Sequence, residues 1–197
     1  MQRITQALTV VALGVGVAAC STPTPSLETT HPSPPSPVPL TQFTRPPENP
    51  PSVIVGDVEL SPTNASWLLK GGERNIIAPA EDFSVADLPT VVVDPTSMRF
   101  AVDSPVMPGQ FDITTFNTVD PAGIPEGQGS SVNCLADSTC ALIVNGEDAT
   151  LDGTASLDKV AKVMVFHVYY FVESLDEEGT GQAIETNYAS YAVRISQ

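Results

Sequence analysis

Residues 159–172, KVAKVMVFHVYYFV, are dominated by β-branched and aromatic side chains. The stretch is apolar at both odd and even positions, which predicts a central strand covered on both of its faces. An acidic turn, ESLDEEGTGQ (173–182), follows it, and then AIETNYASYAVRIS (183–196), which again has strand character. Together these residues predict a long C-terminal β-hairpin.

Seven shorter segments upstream of the hairpin are also rich in β-branched or aromatic residues and are separated by Gly, Pro, Asn or Asp. No window of eleven residues or more shows a helical stripe, although PAEDFSVAD (79–87) favours a helical turn. The pattern predicts a mainly β fold, an antiparallel β-sandwich of immunoglobulin-like type, with a small β-barrel as the alternative. The seven segments are 53–60, 65–70, 74–79, 90–94, 97–103, 110–117 and 140–146.

Two of these segments predict finer features. In residues 110–117, Phe116 is out of phase with the apolar positions before it, so we expect a β-bulge at Thr114 or Thr115. The Asn-Gly pair at 145–146 directly follows the apolar run Ala-Leu-Ile-Val. This pair predicts a two-residue hairpin turn.

The first nineteen residues have the layout of a secretory signal peptide, with Arg3 ahead of an apolar stretch and small residues at the end. Residues 17–20, Val-Ala-Ala-Cys, resemble the lipobox of bacterial lipoproteins. The resemblance implies that residues 1–19 are removed and that Cys20 becomes the lipidated first residue of an exported protein. Ordinary cleavage after Ala19, which would leave a free thiol, is the alternative.

Lipidation at Cys20 would anchor the protein to the cell envelope. Each buried methylene of an acyl chain such as palmitate contributes about 0.8 kcal/mol, so two or more chains hold firmly. Ser21, rather than aspartate, follows the cysteine. In this class of lipoprotein, that choice implies the outer membrane if the host has two membranes.

Residues 20–52 have the composition of a tether rather than of a domain. Eleven of the chain's 19 prolines fall in residues 21–52, among serines and threonines and with few bulky apolar side chains. Such a segment buries too little surface to offset its ordering entropy, so we expect it to be disordered. Residues 53–197 then form a single β-sandwich domain.

The charge of the chain is concentrated in this domain. Of 23 acidic residues only Glu28 and Glu48 precede residue 53, and of eight lysines and arginines only Arg3 and Arg45 do, so the formal net charge of −15 belongs to the domain. A surface this negative repels phosphate backbones, which argues against nucleic-acid binding. Metal ions and cationic partners are electrostatically compatible with it.

Cys134 and Cys140 enclose five residues, too many for a CxxC redox motif. An exported protein meets an oxidising environment, so we expect a structural disulfide between them. Two acidic turns are weak candidates for calcium ligands, although neither has the spacing of an EF-hand loop and a solvated acidic turn is the simpler interpretation. The calcium candidates are Glu147, Asp148, Asp152, Asp176, Glu177 and Glu178.

His167 is the only histidine of the domain, which excludes metal sites built on several histidines. In the predicted central strand it favours a hydrogen-bonded structural role over that of a catalytic base. Residues 119–133, the longest stretch without strand character, are a candidate interaction loop. Aromatic side chains in the strands favour packing over ligand recognition. These aromatic residues are Trp67, Tyr169, Tyr170, Tyr188 and Tyr191.

These features predict a non-catalytic, lipid-anchored surface protein that acts as a binding or structural module, without a cofactor. Its expected partners are the membrane, through the anchor, and an envelope protein or glycan. A carboxylate- or calcium-dependent extracytoplasmic hydrolase is the first alternative, because 21 acidic residues in the domain allow many pairs of carboxylates. A small-ligand carrier with an enclosed apolar cavity is the second.

Overall fold

The C-terminal hairpin is the centre of the fold. A computed structural model describes residues 46–70, 72–81, 83–120, 125–175 and 182–196, which lie within one compact unit, Pro39–Gln197. The hairpin strands run over Val163–Leu175 and Gln182–Ser196 and pair along their whole length, from Val163 with Arg194 to Leu175 with Gln182. The predicted C-terminal hairpin is therefore confirmed.

Ten shorter strands precede the hairpin in the described chain. Eight of them overlap the seven predicted segments, of which residues 53–60 form two strands, whereas Ser130–Asn133 and Thr150–Ala155 are strands that the composition did not predict. Two single-turn 3-10 helices, Val85–Asp87 and Pro95–Ser97, interrupt them, the first within the predicted helical turn. The strands are β1 (Val53–Val55), β2 (Val58–Leu60), β3 (Asn64–Leu68), β4 (Arg74–Ile77), β5 (Thr90–Val92), β6 (Met98–Val102), β7 (Gln110–Phe116), β8 (Ser130–Asn133), β9 (Cys140–Asn145), β10 (Thr150–Ala155), β11 (Val163–Leu175) and β12 (Gln182–Ser196).

The strands form two sheets. The small sheet has the order β2-β1-β6-β10-β9, and the large sheet has the order β4-β3-β12-β11-β7-β8, with β5 pairing in parallel with the end of β12. All other strand pairs are antiparallel, and the two sheets are not closed into a barrel. The predicted antiparallel β-sandwich is confirmed. No helix in the described part of the chain is long and apolar enough to cross a membrane.

Alternating side chains from the two sheets fill the core between them. Phe100 of the small sheet stacks on Phe111 of the large sheet, with ring centroids 5.4 Å apart, and lies 5.4 Å from the ring of Phe166. Trp67 and Tyr170 form an edge-to-face pair at 5.6 Å. These five rings are buried, and the apolar area that they bury helps to stabilise the sandwich.

The face of the large sheet that points away from the core, here called the outer face, is only partly covered. On β11 the inward residues Met164, Phe166 and Val168 are buried, whereas the outward residues His167 and Tyr169 are half-exposed. The prediction that this strand is covered on both faces is therefore wrong over most of its length. Only one end of the outer face carries a second apolar cluster, formed by Val85, Leu88 and Val163.

That second cluster also explains why the expected bulge is absent. Strand β7 pairs with β11 without interruption, from Gln110 to Phe116. Thr115 takes an inward position, where its hydroxyl donates to the carbonyl oxygen of Ser130 at 3.3 Å. Phe116 then faces outward and packs against the second cluster, so its phase needs no correction by a bulge.

The expected two-residue turn at Asn145 is a longer loop. Asn145 pairs with Thr150, which leaves residues 146–149 as a four-residue connection. The Asn145 side-chain oxygen accepts from the backbone N–H of Glu147 at 3.2 Å, and Ala149 adopts a left-handed φ of 54°. The asparagine thus starts the loop with an Asx-type contact instead of occupying the turn itself.

Residues 46–52 pack on the sandwich, although the composition places them in the tether. Pro51 is buried, and its carbonyl oxygen accepts a hydrogen bond from the Tyr191 hydroxyl. The Trp67 indole N–H donates to the carbonyl oxygen of Pro47 at 3.1 Å. Because these donors lie in the core, they fix the proline-rich segment to the domain and move its start upstream of residue 53.

Candidate functional site

Of the predicted cysteine modifications, the disulfide is present in the described part of the chain. Cys134 and Cys140 are bonded, with their Cα atoms 4.5 Å apart, and close the loop between β8 and β9. The bond therefore joins an edge strand of the large sheet to an edge strand of the small sheet. Cys20, the residue expected to carry the lipid, lies outside the described residues.

In the first group of calcium candidates, Glu147, Asp148 and Asp152, the two aspartates surround the side-chain amide of Asn145 instead of a vacant cation site. The Asn145 side-chain nitrogen donates to both Asp148 and Asp152, at 3.1 Å in each case, and thus takes the position between carboxylates that a cation would need. Glu147 is exposed in the same loop. Among the described residues, no group of three His, Cys, Asp or Glu side chains is arranged to hold a metal. The second group, Asp176, Glu177 and Glu178, lies outside the described residues.

The aromatic candidates divide into two groups. Trp67, Tyr170 and Tyr191 are buried in the core, as the packing interpretation predicts. Tyr169 and Tyr188 instead face each other across β11 and β12 on the outer face, with ring centroids 6.4 Å apart. Both are half-exposed, so this pair offers ring surface to solvent.

A row of polar side chains lies beside this aromatic pair and crosses five neighbouring strands. His167 of β11 is directly opposite Ser190 of β12 on one side and Asp112 of β7 on the other. Ser190 is opposite Asn64 of β3, and Asp112 is opposite Asn133 of β8. Neighbouring strands are about 4.8 Å apart, so this polar row is roughly 19 Å long.

Hydrogen bonds within and beside the polar row hold its side chains in place. The His167 Nδ1 atom lies 2.9 Å from the Ser190 hydroxyl oxygen. The Gln110 amide donates to the Asp112 carboxylate, and the Tyr188 hydroxyl donates to the Asn64 side-chain oxygen at 3.4 Å. The row is therefore preorganised, which lowers the entropic cost of binding a ligand.

Partial burial sets the protonation states of the groups on this face. Burial lowers the pKa of His167 below its ordinary value, against a smaller opposing effect of the Asp112 carboxylate. Burial raises the pKa of Tyr169, and Asp112 and Tyr188 raise it further. At neutral pH the imidazole is therefore uncharged and offers one hydrogen-bond donor and one acceptor.

Among the described residues, grooves lie beside both sheets. Two grooves of about 570 and 420 Å³ flank Arg99 on the outer face of the small sheet. The larger is lined mainly by hydroxyl-bearing residues and the smaller by Ile54, Ala101 and Ile143 among others. Both are open to solvent, unlike the enclosed apolar cavity that a small-ligand carrier requires.

The candidate interaction loop, residues 119–133, is shorter than its composition predicts. Its last four residues form β8, and Val119 and Pro125 form an isolated bridge at its base. Residues 121–124, at its tip, lie outside the described residues. The role of this loop in binding a partner therefore remains a prediction.

No protein-family model, curated protein or solved structure matches this chain. The site is therefore interpreted from its own geometry. Sequence reasoning identified His167, Tyr169 and Tyr188 as candidates but missed Asn64, Asp112, Asn133 and Ser190. The signal that could have found these four is their outward position on strands, but it became meaningful only once the strand order was known.

Proposed function

We propose that this chain is a non-catalytic, lipid-anchored protein of the bacterial cell envelope, and that it binds a neutral glycan on the outer face of its large sheet. The proposed anchoring is supported by the resemblance of residues 1–20 to a signal peptide that ends in a lipobox. The single observation that carries the binding function is the polar row across five strands, next to the Tyr169–Tyr188 pair.

The composition of this face supports a sugar ligand. Saccharide hydroxyls both donate and accept hydrogen bonds, and the row supplies amides, a carboxylate, a hydroxyl and a neutral imidazole, which together do both. The apolar C–H face of a sugar ring packs on an aromatic side chain, and the tyrosine pair supplies two. A surface about 19 Å long suits an oligosaccharide chain rather than a single sugar.

Charge favours a neutral glycan over an acidic one. Asp112 lies within the polar row, next to His167, and the chain has a formal net charge of −15. A glycan that carries carboxylates or phosphates would be repelled both locally and at long range.

The 2.9 Å contact between the Ser190 hydroxyl and His167 raises a different possibility from the carboxylate- or calcium-dependent hydrolase, namely a serine hydrolase. A serine nucleophile also needs backbone N–H groups aimed at an oxyanion. His167 and Ser190 lie in the interior of strands paired on both sides, so their neighbouring backbone groups are engaged in the sheet ladders. This arrangement supports a binding role for the pair, and a fluorophosphonate probe is expected to leave Ser190 unlabelled.

Binding can be tested with the full chain, purified in detergent, on an array of neutral and acidic oligosaccharides. We expect retention of neutral chains, with Tyr169→Ala and Asp112→Asn each weakening it by roughly tenfold, the loss of one good stacking or charged hydrogen-bond contact. Thr154→Ala, an exposed change on the opposite sheet, is the matched control and should bind as the unsubstituted protein does. Retention of acidic glycans alone, or equal binding by all variants, would refute the proposed site.

Anchoring needs a separate experiment, because its failure would leave the glycan site untouched. Growth with an alkyne-labelled fatty acid should label the protein, and Cys20→Ser should abolish the label and release the protein from membranes. An unlabelled protein with an unmodified mature N-terminus would overturn the lipid anchor.

A further inference from the structure

Strand β9 is an unprotected sheet edge. It is the terminal strand of the small sheet, and within the part of the chain that the structure describes it pairs on one side only, with β10. Its six residues, Cys140–Asn145, contain no charge, proline or glycine, and their register with β10 is continuous, without a bulge. Proteins normally protect an edge of this kind with lysine, proline, a bulge or a covering segment.

The other edge strands among the described residues are shorter than β9 or more polar, and β5, which pairs only with the end of β12, has three residues. Strand β2 has three residues and an exposed Glu59. Strand β4 begins at Arg74, which forms an ion pair with Glu185. Strand β8 is polar at three of its four positions. Strand β9 thus stands apart as the longest of these edges and the most apolar.

Apolar side chains on both faces of β9 are open to solvent. Ile143 on the outer side is 63% exposed and Val144 on the inner side is 55% exposed. An added strand would cover both and would satisfy the unpaired backbone groups of the edge at the same time. We propose that β9 binds an extended segment of a partner protein by β-strand addition, and that this segment is apolar at its centre and basic at its ends.

The basic ends follow from the acidic groups around the strand. Exposed Asp137 precedes β9, exposed Glu147 and Asp148 follow it, and exposed Asp152 lies opposite Ile143 on β10. Lysines or arginines at the two ends of an incoming segment would meet these carboxylates.

The same carboxylates argue against a second copy of this chain as the occupant. Antiparallel self-pairing centred on Leu142 and Ile143 would set Asp137 of one copy opposite Asp148 of the other, twice by symmetry. Each copy also carries a formal net charge of −15. Like charges directly opposite each other destabilise strand pairing, so the edge is suited to a partner of opposite charge.

The test uses the full chain in detergent and a fluorescent peptide with an alternating threonine–valine centre and two lysines at each end. We expect the peptide to bind and to protect β9 amides from hydrogen exchange. A peptide of the same charge with two central prolines should not bind, because proline removes backbone donors and cannot extend the ladder. A peptide with glutamates in place of the lysines should not bind either.

Two substitutions separate the edge from general charge effects. Ile143→Lys should weaken binding by roughly tenfold, because it places a cation beside the incoming strand and removes an apolar cross-strand contact. Ile76→Lys on β4 makes the same chemical change at a residue that is 61% exposed, and should leave binding unchanged. Equal binding of the proline peptide, equal effects of the two substitutions, or a dimer that protects β9 in the absence of peptide would each overturn the proposal.

Discussion

Gly153 lies on the inner face of β10, directly opposite Phe100 of β6, and alanine at this position tests how tightly the core is packed. An added Cβ atom would lie 2.1, 2.2 and 2.6 Å from three ring carbons of Phe100. Carbon atoms in good contact are about 3.5–4.0 Å apart, so the ring would have to move by at least about 1 Å. It has little room to do so, because it packs against Phe111 and Phe166.

The expected magnitude follows from two opposing effects. Overpacking a core costs about 1–3 kcal/mol, and the large displacement required here places Gly153→Ala in the upper part of that range. Alanine also restricts the unfolded chain, which returns about 0.4–1 kcal/mol. We therefore expect Gly153→Ala to lower the free energy of unfolding by about 2 kcal/mol.

Urea denaturation followed by circular dichroism, with the disulfide intact, measures this change. Gly146→Ala is the matched control, because a Cβ atom there meets nothing within 4 Å and the residue is not in the left-handed region. It should leave the free energy of unfolding unchanged or raise it by up to about 1 kcal/mol.

A double substitution tests whether Phe100 is the cause. Phe100→Leu alone should cost about 1–2 kcal/mol. Combined with Gly153→Ala it should cost less than the sum of the two single effects, by about 1 kcal/mol, because the smaller side chain makes room for the new methyl group. A Gly153→Ala protein within about 0.5 kcal/mol of the unsubstituted one, or strictly additive effects, would refute the packing argument.

Three further predictions concern pH, the disulfide and calcium. Burial raises the pKa of Tyr170 to about 12, and burial, with a smaller effect of the nearby Tyr170, also raises the pKa of Tyr191. Because the native state holds these protons more tightly than the unfolded state, the stability that they contribute should be fully present below pH 10 and should fall between pH 10 and 12. Free energies of unfolding from urea titrations that stay constant over this range would contradict the prediction. Replacing Cys134 and Cys140 together by serine should lower the free energy of unfolding by about 2 kcal/mol, the entropy of a short closed loop, as measured by urea denaturation against the oxidised protein. Asp148→Asn should leave the response of the melting temperature to millimolar calcium unchanged, because the Asn145 amide already bridges Asp148 and Asp152. A calcium-dependent rise that this substitution removes would restore the calcium hypothesis for this loop.

Local patterns determined the elements of this fold. The β-branched composition of residues 163–175 and 182–196 predicts strands because branched and aromatic side chains suit a pleated surface, and the short connection between them leaves a hairpin as the simple pairing. The bond between Cys134 and Cys140 was likewise predicted, from the oxidising environment that an exported protein meets. Errors arose where a distant segment altered a local rule: Phe116 needs no bulge because Val85 and Leu88, about thirty residues upstream, cover it.

The candidate site, by contrast, was decided by strand order. Asn64, Asp112, Asn133, His167 and Ser190 are far apart in the chain, and each occupies an ordinary outward position on its own strand. They form a row because β3, β12, β11, β7 and β8 are neighbours in that order and in one register. Side-chain alternation is a property of a single strand and can be inferred from sequence, whereas pairing and register depend on the packing of the whole core, so only the tertiary structure could assemble this row.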